Sequence, residues 1–169
     1  MALNANSDVF MPSSLQSPHM SLQAGDRAPE IKTSSFQLSK LKGKTVVLFF
    51  FPKADTPGCT KESCEFRDSV KKFAKKNAEI VGLSPDKPEA QAKFAEKYGL
   101  PYTFVPDPDH KIAEAYGVWK EKAFMGRKYM GIERTTFVID REGVVRKVFA
   151  KVSIPGHTAA VLESIHELG

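Results

Sequence analysis

The stretch FFFPKADTPGCTKESCEFRD, Phe49 to Asp68, decides how the rest of the chain reads. It continues an apolar, β-branched and aromatic run that begins at Thr45 and ends at Phe51. An unbroken run of that length predicts a strand buried on both faces of a sheet. Pro52 breaks the run, a short loop follows, and a helix begins near Thr56. Thr56 suits the N-cap, and Pro57 suits the first helical position. Cys59 then falls in the first helical turn, where backbone N–H groups lack intrahelical partners and the macrodipole is positive. Both effects favour thiolate over thiol, and the thiolate is the nucleophilic form. A helix start beyond the carboxyl end of a strand is also where open α/β sheets place their active sites.

Outward from this stretch, the chain alternates. The helix from Thr56 runs to about Lys76, with Phe66, Val70, Phe73 and Ala74 on one stripe. Glu79 to Leu83 reads as a second strand. Pro88 to Tyr98 reads as a helix closed by Gly99 and followed by Pro101. Tyr102 to Val105 is a short strand and Lys111 to Tyr116 a short helix before Gly117. Arg134 to Ile139 and Val144 to Phe149 flank the turn-forming Asp140-Arg141-Glu142-Gly143, which predicts a hairpin. Thr158 to Leu168 is a closing helix behind Pro155 and Gly156. No repeats interrupt the order β-α-β-α-β-α-β-β-α. That order predicts an α/β, thioredoxin-like fold with a mixed central sheet flanked by helices.

Composition bounds the alternatives. The chain has 169 residues and 18.7 kDa, with 41% hydrophobic and 27% charged residues. These values suit a globular domain and exclude collagen, a largely disordered chain and a disulfide-stapled miniprotein. No window approaches the ~18 uninterrupted apolar residues that a membrane helix needs. The net charge of +5 comes from 25 basic and 20 acidic residues. Its lysines, such as Lys71, Lys72, Lys75 and Lys76 near Glu79, read as solvated helix faces rather than a nucleic-acid footprint. Residues 1–21 are rich in Ser, Asn, Pro and Met and contain no Lys or Arg, so they read as a flexible, tag-like tail without a targeting signal. Residues 22–169 are then one domain, and a cytoplasmic location is expected.

The two cysteines, Cys59 and Cys64, stand five positions apart. On an ideal helix five steps rise ~7.5 Å and rotate ~140°, which separates the Cα atoms by roughly 8.7 Å. A disulfide tolerates about 7 Å. If these thiols bond, the first turns of the helix must therefore unwind.

Pro52-Lys-Ala-Asp-Thr56-Pro-Gly-Cys59 matches the P-x-x-x-T-x-x-C signature of the peroxiredoxins, and Thr56-Pro-Gly-Cys-Thr-Lys-Glu-Ser-Cys64 resembles the peroxiredoxin Q, or bacterioferritin comigratory protein, branch. Arg134-Thr-Thr-Phe-Val-Ile-Asp140 resembles the family's second strand motif. The similarity runs from about Leu22 to Leu168. It implies a thiol peroxidase in which Cys59 attacks hydrogen peroxide or an organic hydroperoxide and becomes a sulfenic acid. Cys64 would resolve it as an intramolecular disulfide, recycled by thioredoxin or a similar reductant. The resemblance also gives Thr56 a hydroxyl beside the sulfur, Pro52 a shielding role, Arg134 charge stabilisation, and Glu62 the holding of Arg134; Arg67 would add positive field. No metal or organic cofactor is implied, and members of this branch are mostly monomeric.

Other readings stand beside this one. Arg134 taken alone is a surface arginine opening a strand, and Glu62 and Arg67 are solvated helix residues. Trp119 and Phe124 read as packing residues or a lid, and Met125, Tyr129 and Met130 as a hydrophobic patch in a Gly-containing loop. The alternative functions are a thioredoxin-like disulfide exchanger or redox-regulated binding protein, and a zinc module using Cys59, Cys64 and two of His110, His157 and His166. The first lacks C-x-x-C, and the second lacks histidine spacing typical of zinc sites.

Overall fold

The computed structural model describes residues 22–168, so the tail expected over 1–21 lies outside the described residues. Strand β1, Thr45–Phe50, is buried at every position. Its alternation sends Val46, Leu48 and Phe50 into one core, and Val47 and Phe49, with Phe51 beyond the strand, into another. Each fully buried Phe contributes about 2 kcal/mol of transfer free energy. That explains why the apolar run takes the centre of the sheet.

The helices that follow cover the second core. α1 spans Pro57–Asp68, α2 Val70–Lys75 and α3 Pro88–Tyr98, with β2, Ala78–Ser84, between α2 and α3. β3 is Thr103–Pro106 and α4 Lys111–Ala115. β4, Trp119–Phe124, and β5, Arg127–Ile132, form a separate antiparallel pair. β6, Thr135–Ile139, and β7, Val145–Phe149, are joined through a turn at Asp140–Gly143, and α5 is His157–Glu167. The main sheet has the order β3-β2-β1-β6-β7. β1, β2 and β3 run parallel, while β6 is antiparallel to β1 and β7 to β6. This is the mixed, helix-flanked α/β sheet that the residue order implies.

Three expectations need correction. The helix predicted over Thr56 to about Lys76 is two helices, because Ser69 adopts φ −108°, ψ 5° and its N–H turns back to Phe66 O at 3.1 Å. Phe66 and Phe73 still share the core across this break, but Ala74 is exposed. The loop expected to hold Met125, Tyr129 and Met130 is part of the β4–β5 hairpin. Its turn uses Met125 (φ 52°) and Gly126 (φ 81°), the two left-handed positions of a tight hairpin. Phe124, expected to pack, is 66% exposed, and Met125, Tyr129 and Met130 are also exposed. Trp119 does pack, with its ring stacked on His110 at 4.0 Å.

Candidate active site

The loop from Pro52 to Thr56 aims α1. Its Asp55 is left-handed (φ 61°), and the strain is held by Lys97 Nζ and Tyr98 Oη, which donate to its carboxylate at 2.9 and 2.8 Å. These bonds from α3 hold the Asp55 carboxyl below its usual range. Ala54 N–H donates to Asp86 at 2.7 Å, which ties the same loop to the end of β2. Pro52 is half-buried in the bend after β1. Thr56 holds the N-cap position in extended geometry, and its carbonyl accepts from Thr60 N–H at 2.8 Å. Its hydroxyl does not cap the helix; it donates to Lys53 O at 2.7 Å. With its proton so committed, the oxygen keeps lone pairs that can accept from a ligand.

Cys59 lies in the first turn of α1 and is 1% exposed. Arg134, one residue before β6, donates from Nη2 to Cys59 Sγ at 3.1 Å and from Nη1 to Glu62 Oε1 at 2.6 Å. The planar fork of one guanidinium thus joins the sulfur to the carboxylate. A fixed cation and a helix N-terminus on one sulfur stabilise negative charge there. Burial works against the Arg134 charge, but Glu62 and the Cys59 sulfur together hold its affinity for the proton above the usual range. A methyl group at Gly58 would touch Arg134 Nη2 and Ile154 Cδ1 at 3.4 Å, so this position lies directly against the guanidinium.

Glu62, read alone as a solvated helix residue, is 1% exposed. Burial outweighs the attraction of Arg134 and raises its carboxyl to about 7. Its second oxygen, Oε2, has no hydrogen-bond partner among the described residues. Arg67 does not join this group. It donates to Tyr98 O at 2.7 Å and pairs with Asp68. Cys64 sits on the same unbroken helix, half-buried, and both thiols are free.

Two residues whose place in this site the sequence did not reveal lie on the far side of Glu62. His157 Nε2 is 3.9 Å from Glu62 Oε2 and 2.8 Å from Thr136 Oγ1. His157 entered the sequence reading only as a zinc ligand, and Thr136 only as a strand residue; their meeting depends on β6 and α5 packing on α1. The other two histidines are elsewhere, His110 beside Glu114 and His166 beside Lys76. No three His, Cys, Asp or Glu side chains among the described residues gather as a metal would need.

The AhpC/TSA family profile matches residues 16–148. The chain is 45% identical over 154 residues to peroxiredoxin Bcp of Bacillus subtilis, covering 88% of this chain and 98% of that one. Among solved structures, peroxidoxin BcpB of Mycobacterium tuberculosis is 37% identical, with a TM-score of 0.76 over 88% of this chain and 99% of that one. The bacterioferritin comigratory protein of Xanthomonas campestris, described for alkyl peroxide reduction, is 32% identical with a TM-score of 0.79, covering 86% and 99%. A cysteine at a helix start, a guanidinium on its sulfur and these relatives lead to one assignment: the chain belongs to the AhpC/TSA family and is a thiol peroxidase of the peroxiredoxin type.

Proposed function

We propose that Cys59 is the peroxidatic cysteine and Cys64 the resolving one. The observation that carries this is the 3.1 Å bond from Arg134 Nη2 to Cys59 Sγ. The Cys59 thiolate attacks one oxygen of a hydroperoxide and the O–O bond breaks. Cys59 becomes a sulfenic acid, and the leaving oxygen takes up a proton as water or alcohol. Thr56 Oγ1 accepts from the peroxide O–H, and Arg134 carries charge as it moves from sulfur to the leaving oxygen. Glu62 holds the guanidinium in place, and Pro52 shields the sulfur from water.

Cys64 then attacks the sulfenic sulfur and releases water, forming a Cys59–Cys64 disulfide. Both residues lie within α1, at a helical spacing too long for a disulfide, so this step unwinds the helix. Two electrons from a dithiol reductant restore the thiols. Peroxides and a thiol reductant follow from the family; a thioredoxin-type protein is the reductant proposed here. A monomer suffices for this chemistry, since one chain supplies Cys59, Cys64, Glu62 and Arg134. Its compartment is the cytoplasm, where thioredoxin systems keep thiols reduced. No helix among the described residues is long and apolar enough to cross a membrane.

One equivalent of peroxide, followed by a free-thiol count and peptide mapping, tests this. The expected result is loss of both thiols, a Cys59–Cys64 bridge, and no peroxide consumption by Cys59→Ser. Peroxide reduction that survives Cys59→Ser overturns the proposal.

A further inference from the structure

His157, at the first position of α5, is a buried titratable side chain that the chemistry above does not use. Its ring is held edge-on between Phe66, at 6.0 Å, and Phe149, at 5.3 Å. Its Nε2 is taken by Thr136 Oγ1 at 2.8 Å and stands 3.9 Å from Glu62 Oε2, too far for a hydrogen bond. The chain of contacts is therefore Thr136, His157, Glu62, Arg134, Cys59. Every link is a hydrogen bond except the one between His157 and Glu62. That gap coincides with the unpartnered oxygen of Glu62.

We infer that His157, held by Thr136, is a positioning residue for the Cys59 centre. It fills the space beside Glu62 Oε2 without donating to it, and so leaves the carboxylate that grips Arg134 unsupported on that side. An ionised Glu62 fixes Nη1 and thereby aims Nη2 at the sulfur. A protonated Glu62 holds the guanidinium less firmly, so the reactivity of Cys59 follows the Glu62 carboxyl. Burial and the nearby Arg134 hold the imidazole down to about 4, so it stays neutral through this range. The other charged or titratable groups facing Glu62 are Arg134, Glu65 on its own helix and Tyr102. Glu65 raises the carboxyl only as the weakest of the influences on it, and Tyr102 stays protonated through burial.

Two neighbouring substitutions should then move Glu62 in opposite directions. Thr136→Val frees Nε2 to donate to Oε2, which favours the carboxylate and lowers the titration midpoint. His157→Leu replaces the polar ring beside Oε2 with an apolar wall, which raises the midpoint. The midpoint is read by 13C NMR of carboxyl-labelled glutamates in the reduced full chain, with the Glu62 signal assigned by its loss in Glu62→Gln. The expected shifts are about half a pH unit or more, a threefold change in the ratio of ionised to neutral carboxyl. The pH profile of Cys59 oxidation by hydrogen peroxide should shift with the carboxyl, and Thr136→Val should leave the profile unshifted in a Glu62→Gln background. A wild-type midpoint in Thr136→Val, or a shift upward, overturns the inference, and that variant decides the matter if His157→Leu does not fold. The functional half rests on Cys59 as the reacting sulfur. The titration is measured without peroxide, so it fails or holds separately from the thiol mapping.

Discussion

Glu62→Gln exposes a conflict between stability and activity at the centre of the site. The Glu62 carboxyl moves from 4.5 to about 7 on folding, chiefly through burial. The folded protein therefore holds this proton more tightly than the unfolded chain. The resulting stability is fully present below pH 4.5 and is lost as pH rises through about 7. At about 1.4 kcal/mol per pH unit, the whole loss is about 3 kcal/mol. Gln reproduces the neutral carboxyl at every pH. Glu62→Gln should therefore match the wild type near pH 4.5 and exceed it by about 3 kcal/mol above pH 7, while Arg134 loses its anionic anchor and peroxide reduction slows. His157 has the opposite linkage. Its imidazole falls from 6.5 to about 4, so its contribution is present above 6.5 and lost as pH falls through 4. That term occurs in both proteins and cancels in the difference. Urea unfolding of the reduced proteins across this pH range measures the difference directly. A difference that stays constant with pH, or that shrinks as pH rises, refutes the reasoning.

Other substitutions probe the parts around the sulfur. Arg134→Lys cannot span Glu62 and Cys59 with one planar fork, so peroxide reduction should fall roughly 10- to 100-fold, checked by stopped-flow kinetics. Tyr102→Phe removes the 2.6 Å bond from Tyr102 Oη to Ser63 O, the residue immediately before Cys64. Losing it should weaken α1 by about 1 kcal/mol, read as roughly fivefold faster amide exchange over residues 59–67. Gly82→Ala would bring a methyl group to 2.8 Å from the Phe104 ring and 3.0 Å from Phe49. It should cost about 1–3 kcal/mol in urea unfolding without altering the rate of Cys59 oxidation.

Much of the architecture can be read from local sequence. The Thr45 to Phe51 run can bury both faces only at the centre of a sheet, and Pro88 and Gly99 mark the ends of α3 to the residue. The turn at Asp140 is equally local, with its carboxylate accepting from Glu142 and Val144 N–H at 2.9 and 3.0 Å. The β4–β5 hairpin was not legible. Its lysines blur the period-two alternation, and its turn places Met125 where Asn or Asp would be the usual signal. The break at Ser69 leaves no Gly or Pro to read. In the site, Cys59 and Thr56 follow from the start of a helix, whereas Arg134 and Glu62 emerged only through the family motif, because nothing local tells a half-buried arginine in a site from an exposed one. Thr136 lies in the strand motif without a role that the motif marks, and His157 lies in none; only the packing of β6 and α5 brings them to Glu62.

The central claim is that Cys59 Sγ is made reactive by the guanidinium that donates to it at 3.1 Å and by the helix start beneath it. Alkylation of Cys59 by iodoacetamide in mildly acidic buffer, followed by mass mapping, tests this most directly. The account predicts that Cys59 in the folded wild type reacts far faster than the same cysteine in the urea-unfolded chain, and that Arg134→Lys removes most of the advantage. Equal rates for the folded and unfolded chains would contradict it.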